Sequence, residues 1–141
     1  MVAELELEIL LAEDSEDDVY LIKRAIRDEE LPFHLTIATD GVEAMEMLAE
    51  KSSSGNLPKL ILLDVNMPRM NGFEVLDAVK ADPQYRQLPV VMLTSSSRDE
   101  DILQSYAKGA SSYISKPSRY QEFRDMIANF SHYWTNIVTL P

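Results

Sequence analysis

The chain contains no cysteine. Disulfide staples, thiolate nucleophiles and Cys-ligated zinc are therefore excluded, and the absence fits a reducing compartment. Basic residues are few, 13 against 24 acids, for a net charge of -11. That balance argues against a nucleic-acid or anionic-membrane partner, because such binding relies on Lys and Arg neutralising phosphates. No apolar run approaches the ~20 residues needed to span a bilayer. The first residues, Met1 to Glu8, have neither a basic start nor a long apolar core and do not form a signal peptide. No Gly-rich Lys–Ser/Thr motif is present, which excludes P-loop nucleotide hydrolysis. The segment Asp14-Ser15-Glu16-Asp17-Asp18 is acidic and Gly-free, hostile to the phosphate of a bound flavin. A soluble cytoplasmic protein is expected.

What is there suits one domain. The 141 residues are 45% apolar, and a chain of this length buries roughly two-thirds of its unfolded surface. Five apolar runs alternate with five helical patterns. Ile9 to Ala12, Leu60 to Leu63 and Val90 to Leu93 are continuously apolar, as strands buried on both faces are. His34 to Ala38 and Ser112 to Ser115 complete the set. Before Ile9 the alternation of Leu5 and Leu7 with Glu4, Glu6 and Glu8 predicts a half-exposed strand start. Ser15 and Asp40 are placed to cap the first two helices. Phe123, Ile127, Phe130, Trp134 and Ile137 mark a last helix from about Tyr120 to Ile137. Strand–helix repetition predicts a five-stranded parallel α/β sheet, doubly wound and flavodoxin-like, in the order 2-1-3-4-5. Right-handed crossovers place every strand C-terminus on one edge.

Chemistry gathers at that edge. The first strand ends in Glu13-Asp14, the third in Asp64, the fourth in Thr94 and the fifth in Lys116. Three clustered carboxylates repel one another and raise each other's pKa. A divalent cation relieves this, and Mg²⁺ suits hard oxygen ligands. A hydroxyl and an ammonium stand opposite, as a transferred phosphoryl group requires. His34 and His132 lie elsewhere, so a carboxylate is the candidate nucleophile, giving an aspartyl phosphate. Asp64, on the central strand, is the first choice. Taken singly, each of these residues has an ordinary structural explanation, as a capping acid, a turn hydroxyl or a paired lysine. Their coincidence at successive strand ends carries the reading.

These residues lie in ILLAED (Ile9 to Asp14), LILLDVNMPRMNG (Leu60 to Gly72), VVMLTSS (Val90 to Ser96) and SYISKP (Ser112 to Pro117). With these motifs the whole chain resembles the receiver domain of two-component response regulators. The resemblance implies that Asp64 accepts a phosphoryl group from a phosphohistidine on a sensor histidine kinase. It implies Mg²⁺ held by Glu13, Asp14, Asp64 and the backbone carbonyl of Asn66, with Asp14 in direct contact and Glu13 through water. Thr94 and Lys116 would bind the phosphoryl oxygens. Small Ser95 would leave a path to Asp64, and Tyr113 would be the switch aromatic. The alternative for Tyr113 is a half-buried strand aromatic. Asn66 and Ser96, neither a carboxylate, imply no unusually rapid self-dephosphorylation. A cis peptide bond is expected at Lys116–Pro117.

The rival reading is a haloacid-dehalogenase-type phosphatase, which needs a second Asp two residues after the nucleophile; here that position is Asn66. The receiver is expected to fill residues 1–141 as a single domain, with an extended last helix, a short tail and no output domain. It would signal through its surface rather than turn over a substrate. Met126 and Tyr133 lie beside the main apolar stripe of the last helix, an excess that predicts a second buried face, hence a partner or a homodimer, the homodimer being the expectation. Trp134 and the tail Val138-Thr139-Leu140-Pro141 resemble single-domain regulators that act with phytochrome-type sensor kinases.

Overall fold

Residues 6–141 are described by a computed structural model. Five parallel strands, β1 (Leu7–Ala12), β2 (Phe33–Ala38), β3 (Leu60–Leu63), β4 (Val90–Thr94) and β5 (Ser112–Ser115), form one sheet in the order 2-1-3-4-5. The helices α1 (Glu16–Asp28), α2 (Gly41–Ser53), α3 (Gly72–Ala81), α4 (Asp99–Ala107) and α5 (Tyr120–His132) follow them in turn. This is the doubly wound, flavodoxin-like arrangement expected from the sequence.

The apolar runs are continuous because both faces of the sheet are covered. Alternate residues serve opposite layers. Leu10, Ile61, Leu63 and Met92 pack with Ala44 and Leu48 of α2 and with Val75, Leu76 and Val79 of α3. Ile9, Leu11, Leu60, Leu62 and Leu93 pack with Ile22 and Ala25 of α1 and with Phe123, Ile127 and Phe130 of α5. The half-exposed start of the first strand is seen at Leu7 and Glu8, both half-buried before buried Ile9 and Leu10, with no alternation between them; Glu4 and Leu5 lie outside the described residues.

Helix starts are pinned at the strand tips. The Ser15 hydroxyl accepts from the Asp18 N–H at 3.2 Å, and the Asp40 carboxylate from the Glu43 N–H at 2.8 Å. Asn71 and Glu74 exchange hydrogen bonds as a capping box at the start of α3. Each cap fixes where its helix leaves the crevice.

Two details, the Lys116–Pro117 bond and the last helix, differ from expectation. The Lys116–Pro117 bond is trans, and no peptide bond is cis among the described residues; trans is the form that an X–Pro bond favours by about 0.5–1 kcal/mol. The last helix stays α-helical only to His132. Tyr133–Ile137 forms a π turn, in which the Val138 N–H reaches back to the Tyr133 carbonyl at 3.1 Å. The Thr135 hydroxyl occupies the Ser131 carbonyl at 2.6 Å, and side-chain insertion of this kind loosens the regular ladder. Trp134 is thereby buried beside Phe130, with ring centroids 6.2 Å apart, while Ile137, expected on the buried stripe, is exposed. In α4, Leu103 and Tyr106 face outward and Ser105 is buried, because two residues along a helix turn the side chain by about 200°.

Candidate functional site

The ladder carries the acids to a common point. The Asp64 N–H donates to the Ala12 carbonyl at 3.0 Å, and the Glu13 N–H to the Ala38 carbonyl at 2.9 Å. These bonds set Glu13, Asp14 and Asp64 side by side just beyond the ends of β1 and β3. One carboxylate oxygen from each lies within 4.8 Å of the others. Glu13 and Asp64 are buried and Asp14 is exposed. Three hard oxygen donors grouped in this way suit a single small divalent cation, with open positions left for water or a phosphate oxygen.

Lys116 enters from the other side. Its N–H donates to the Thr94 carbonyl at 2.8 Å, which fixes the backbone at the end of β5. Its side chain is only 5% exposed. The ammonium donates to Glu13 Oε2 and, at 2.8 Å, to Asp18 Oδ2; it stands 3.8 Å from Asp64 Oδ2. The Thr94 hydroxyl is fully buried and accepts from the Ser96 N–H at 3.4 Å. Tyr113 is half-buried, and its hydroxyl donates to the Ser96 carbonyl at 2.8 Å. Its own N–H donates to the Tyr106 hydroxyl at 3.2 Å. Tyr113 therefore bridges the loop after β4 to the exposed face of α4. Asn66 lies two residues past Asp64 and is exposed.

Burial, more than repulsion from Asp64, governs the titration of Glu13. Desolvation pushes the Glu13 carboxyl up to about 7; the Asp64 charge adds to the rise, and the Lys116 hydrogen bond opposes it. Burial alone would lower Lys116. Hydrogen bonds to Asp18 and Glu13, with the charge of Asp64, outweigh burial and raise it. An ammonium held this way stays charged throughout the physiological range.

Two features were not read from the sequence. Asp18, in the acidic segment after β1, is brought by the fold against the Lys116 ammonium. The loop 64–72 is also clamped. Arg69, at φ 64°, donates from Nε to Asp40 Oδ2 at 2.8 Å. A Cβ on Gly41 would meet the Met70 carbonyl oxygen at 2.2 Å, and one on Gly72 would meet the Asp64 carbonyl oxygen at 2.1 Å. The loop that starts at the nucleophile candidate is thus in backbone contact with two helix N-termini. Arg69, Met70 and Gly72 lie within the motif Leu60 to Gly72, but Asp40 and Gly41 lie in none of the motifs, and no spacing in the chain marks the contact.

An α/β sheet of this order, with clustered acids, a threonine and a lysine at one crevice, defines a phosphoacceptor signalling domain. The chain belongs to the response regulator receiver domain family, whose model matches residues 9–128. It is 35% identical over 135 residues to response regulator Rcp1 of Synechocystis sp., covering 94% of this chain and 92% of that protein. The crystal structure of the phosphorylated cyanobacterial phytochrome response regulator RcpA superposes with a TM-score of 0.89 at 33% identity, covering 96% of this chain and 99% of that one. The Mn²⁺-bound form of Rcp1 superposes with a TM-score of 0.84 at 34% identity, covering 95% and 98%. These relatives are response regulators, and the phosphatase alternative gains no support from them. Among the described residues no helix is long and apolar enough to cross a membrane.

Proposed function

We propose that Asp64 is the phosphoacceptor, and that Glu13, Asp14, Asp64 and the Asn66 carbonyl hold Mg²⁺ while it reacts. The carrying observation is the convergence of three carboxylates and the Lys116 ammonium at the tip of β3. In the reaction an Asp64 oxygen attacks phosphorus, the P–N bond to the donor histidine breaks, and a mixed carboxylic–phosphoric anhydride forms. A bound cation supplies charge neutralisation at the phosphoryl oxygens. Lys116 and the Thr94 hydroxyl bind the remaining oxygens. Departure of the Thr94 hydroxyl from the Ser96 N–H would free the loop on which the Tyr113 hydroxyl rests. The chain then catalyses only its own phosphorylation and dephosphorylation.

The direct test is mass. With Mg²⁺ and a small phosphodonor such as acetyl phosphate, the intact protein should gain one phosphoryl group. A wild-type protein that stays unmodified would sink this reading.

The proton on Glu13 makes a second expectation. A carboxyl with its pKa near 7 holds a proton below that pH, and a cation must displace it. Mg²⁺ affinity should therefore be about tenfold weaker at pH 6 than at pH 8, by one-proton linkage. The sign for folding without metal is the reverse. The folded carboxyl sits above its ordinary value of 4.5, so its contribution to stability declines as pH rises from about 4.5 to about 7. Calorimetric titration with Mg²⁺ at several pH values checks the first, and a pH-flat affinity would contradict it.

Lys116→Ala should still accept phosphorus on Asp64, because attack by the carboxylate does not need the ammonium. It should lose the response of Tyr113 and α4, which follows the phosphoryl oxygens. Tyrosine signals by NMR, recorded with and without phosphodonor, read this out. A wild-type response in the variant would refute the coupling.

The donor we propose is a sensor histidine kinase, of phytochrome type. Likeness to RcpA and Rcp1 over nearly the whole chain supports that choice. An ATP-fed kinase also fits a cytoplasmic site of action. A homodimer is proposed through α5 and the π turn after it, where Tyr133 and Ile137 are exposed and Tyr133 lines a groove of about 490 Å³ with Ile114, Met126, Phe130 and Trp134. Sedimentation with and without phosphodonor should give twice the monomer mass in at least one state. A monomer in both would remove the dimer from the proposal.

A further inference from the structure

The lysine of the site has a partner that the phosphoryl-transfer reading does not use. Asp18 lies in the first turn of α1, its backbone N–H held by the Ser15 hydroxyl. Its carboxylate accepts from Lys116 Nζ at 2.8 Å, while Asp64 Oδ2 is 3.8 Å from the same nitrogen. The first distance is a hydrogen bond and the second is not. The resting ammonium is thus tied to Asp18 and Glu13 and only electrostatically close to Asp64. Glu13 belongs to the acid cluster beyond β1 and β3; Asp18 does not.

A phosphoryl group on Asp64 presents a new dianionic partner to this ammonium. An ammonium has three donors, and reorienting them toward new oxygens weakens or breaks bonds already made. We propose that Asp18 is a positioning residue, which holds Lys116 back from Asp64 in the resting protein and competes with the phosphoryl group for its ammonium. Asp18 then sets the equilibrium between the resting and the phosphorylated arrangement of the site without touching phosphorus. This rests on the assignment of Asp64 as acceptor.

The same geometry yields a test on the full chain. Beryllofluoride, a tetrahedral phosphoryl analogue, is titrated in Mg²⁺ and its bound form followed by ¹⁹F NMR. Asp18→Asn keeps the side-chain size and the α1 cap but removes the competing charge. Its affinity for beryllofluoride should rise about threefold to tenfold, a factor of ten being ~1.4 kcal/mol. Asp18→Glu, which keeps the carboxylate, should return it towards wild type. Asp17→Asn, which removes a neighbouring exposed acid, should leave it unchanged. In a Lys116→Met background, Asp18→Asn should have no effect, because the competed-for group is gone. Circular dichroism on each variant confirms folding. Unchanged or weaker binding in Asp18→Asn overturns the inference. So does an equal gain in Asp17→Asn or a gain that persists without Lys116, since either would mark a general charge effect. If wild-type protein takes up no beryllofluoride, the acceptor assignment itself fails, and this inference falls with it.

Discussion

Asp64→Asn should abolish phosphorylation outright. The amide keeps the shape of the side chain, yet its nitrogen and carbonyl are poor nucleophiles toward phosphorus, so the loss should be at least ~10³-fold in rate, or about 4 kcal/mol of barrier. Intact mass after incubation with Mg²⁺ and acetyl phosphate reads it directly. The variant also loses one of three cluster oxygens of full charge, so Mg²⁺ affinity should fall at least about tenfold. Stability should move the other way. Asp64 raises the pKa of Glu13, so removing its charge relieves the cluster, and the melting temperature without metal should not drop. That combination separates an acceptor from a structural acid. A variant that is phosphorylated like wild type would show that phosphorus goes elsewhere.

Gly72→Ala should be strongly disruptive at the site. Its Cβ would sit 2.1 Å from the Asp64 carbonyl oxygen and 2.9 Å from both the Asp64 carbonyl carbon and Val65 Cα. All three are backbone atoms, and no side chain can swing aside. Either α3 retreats or the loop 64–72 shifts, and both change the hydrogen bond from the Gly72 N–H to the Val65 carbonyl, now 2.9 Å. Overpacking of this kind costs about 2–4 kcal/mol, which for a chain of this size lowers the melting temperature by roughly 10 °C. The displaced loop begins at Asp64 and contains Asn66, so Mg²⁺ affinity should fall as well. Gly55→Ala is the contrast. That glycine has open space around it and φ of +74°, so the cost is limited to about 1 kcal/mol of backbone strain, with no effect on the metal. Equal melting temperatures for the two variants would disprove the close-approach argument.

The fold was legible because its signals are local. Leu60 to Leu63 is apolar without interruption, and only a strand covered on both faces needs that. Ser15 and Asp40 precede helical stripes and cap them as expected. The functional edge was legible for a related reason: in a parallel sheet, chain order alone sends Glu13, Asp14, Asp64, Thr94 and Lys116 to the same side. What failed to show was also local in origin. The π turn at Tyr133 to Ile137 depends on a competition between Thr135 and the backbone for one carbonyl. The same apolar spacing would have described an uninterrupted helix.

Composition and the order of apolar runs were sufficient for the class of fold and for the grouping of Glu13, Asp14 and Asp64 at one crevice, since each follows from covering a sheet and from the direction of its strands. They could not reach the contacts made across the chain. Lys116 meets Asp18 and Glu13 from 98 and 103 residues away, and Arg69 meets Asp40 from 29. Such pairings are decided by distances of a few ångströms between separate elements, and no periodicity in the chain encodes them. The tertiary structure alone therefore determined which acids hold the lysine, how far it rests from Asp64, and why the loop beyond that residue tolerates no side chain at Gly72.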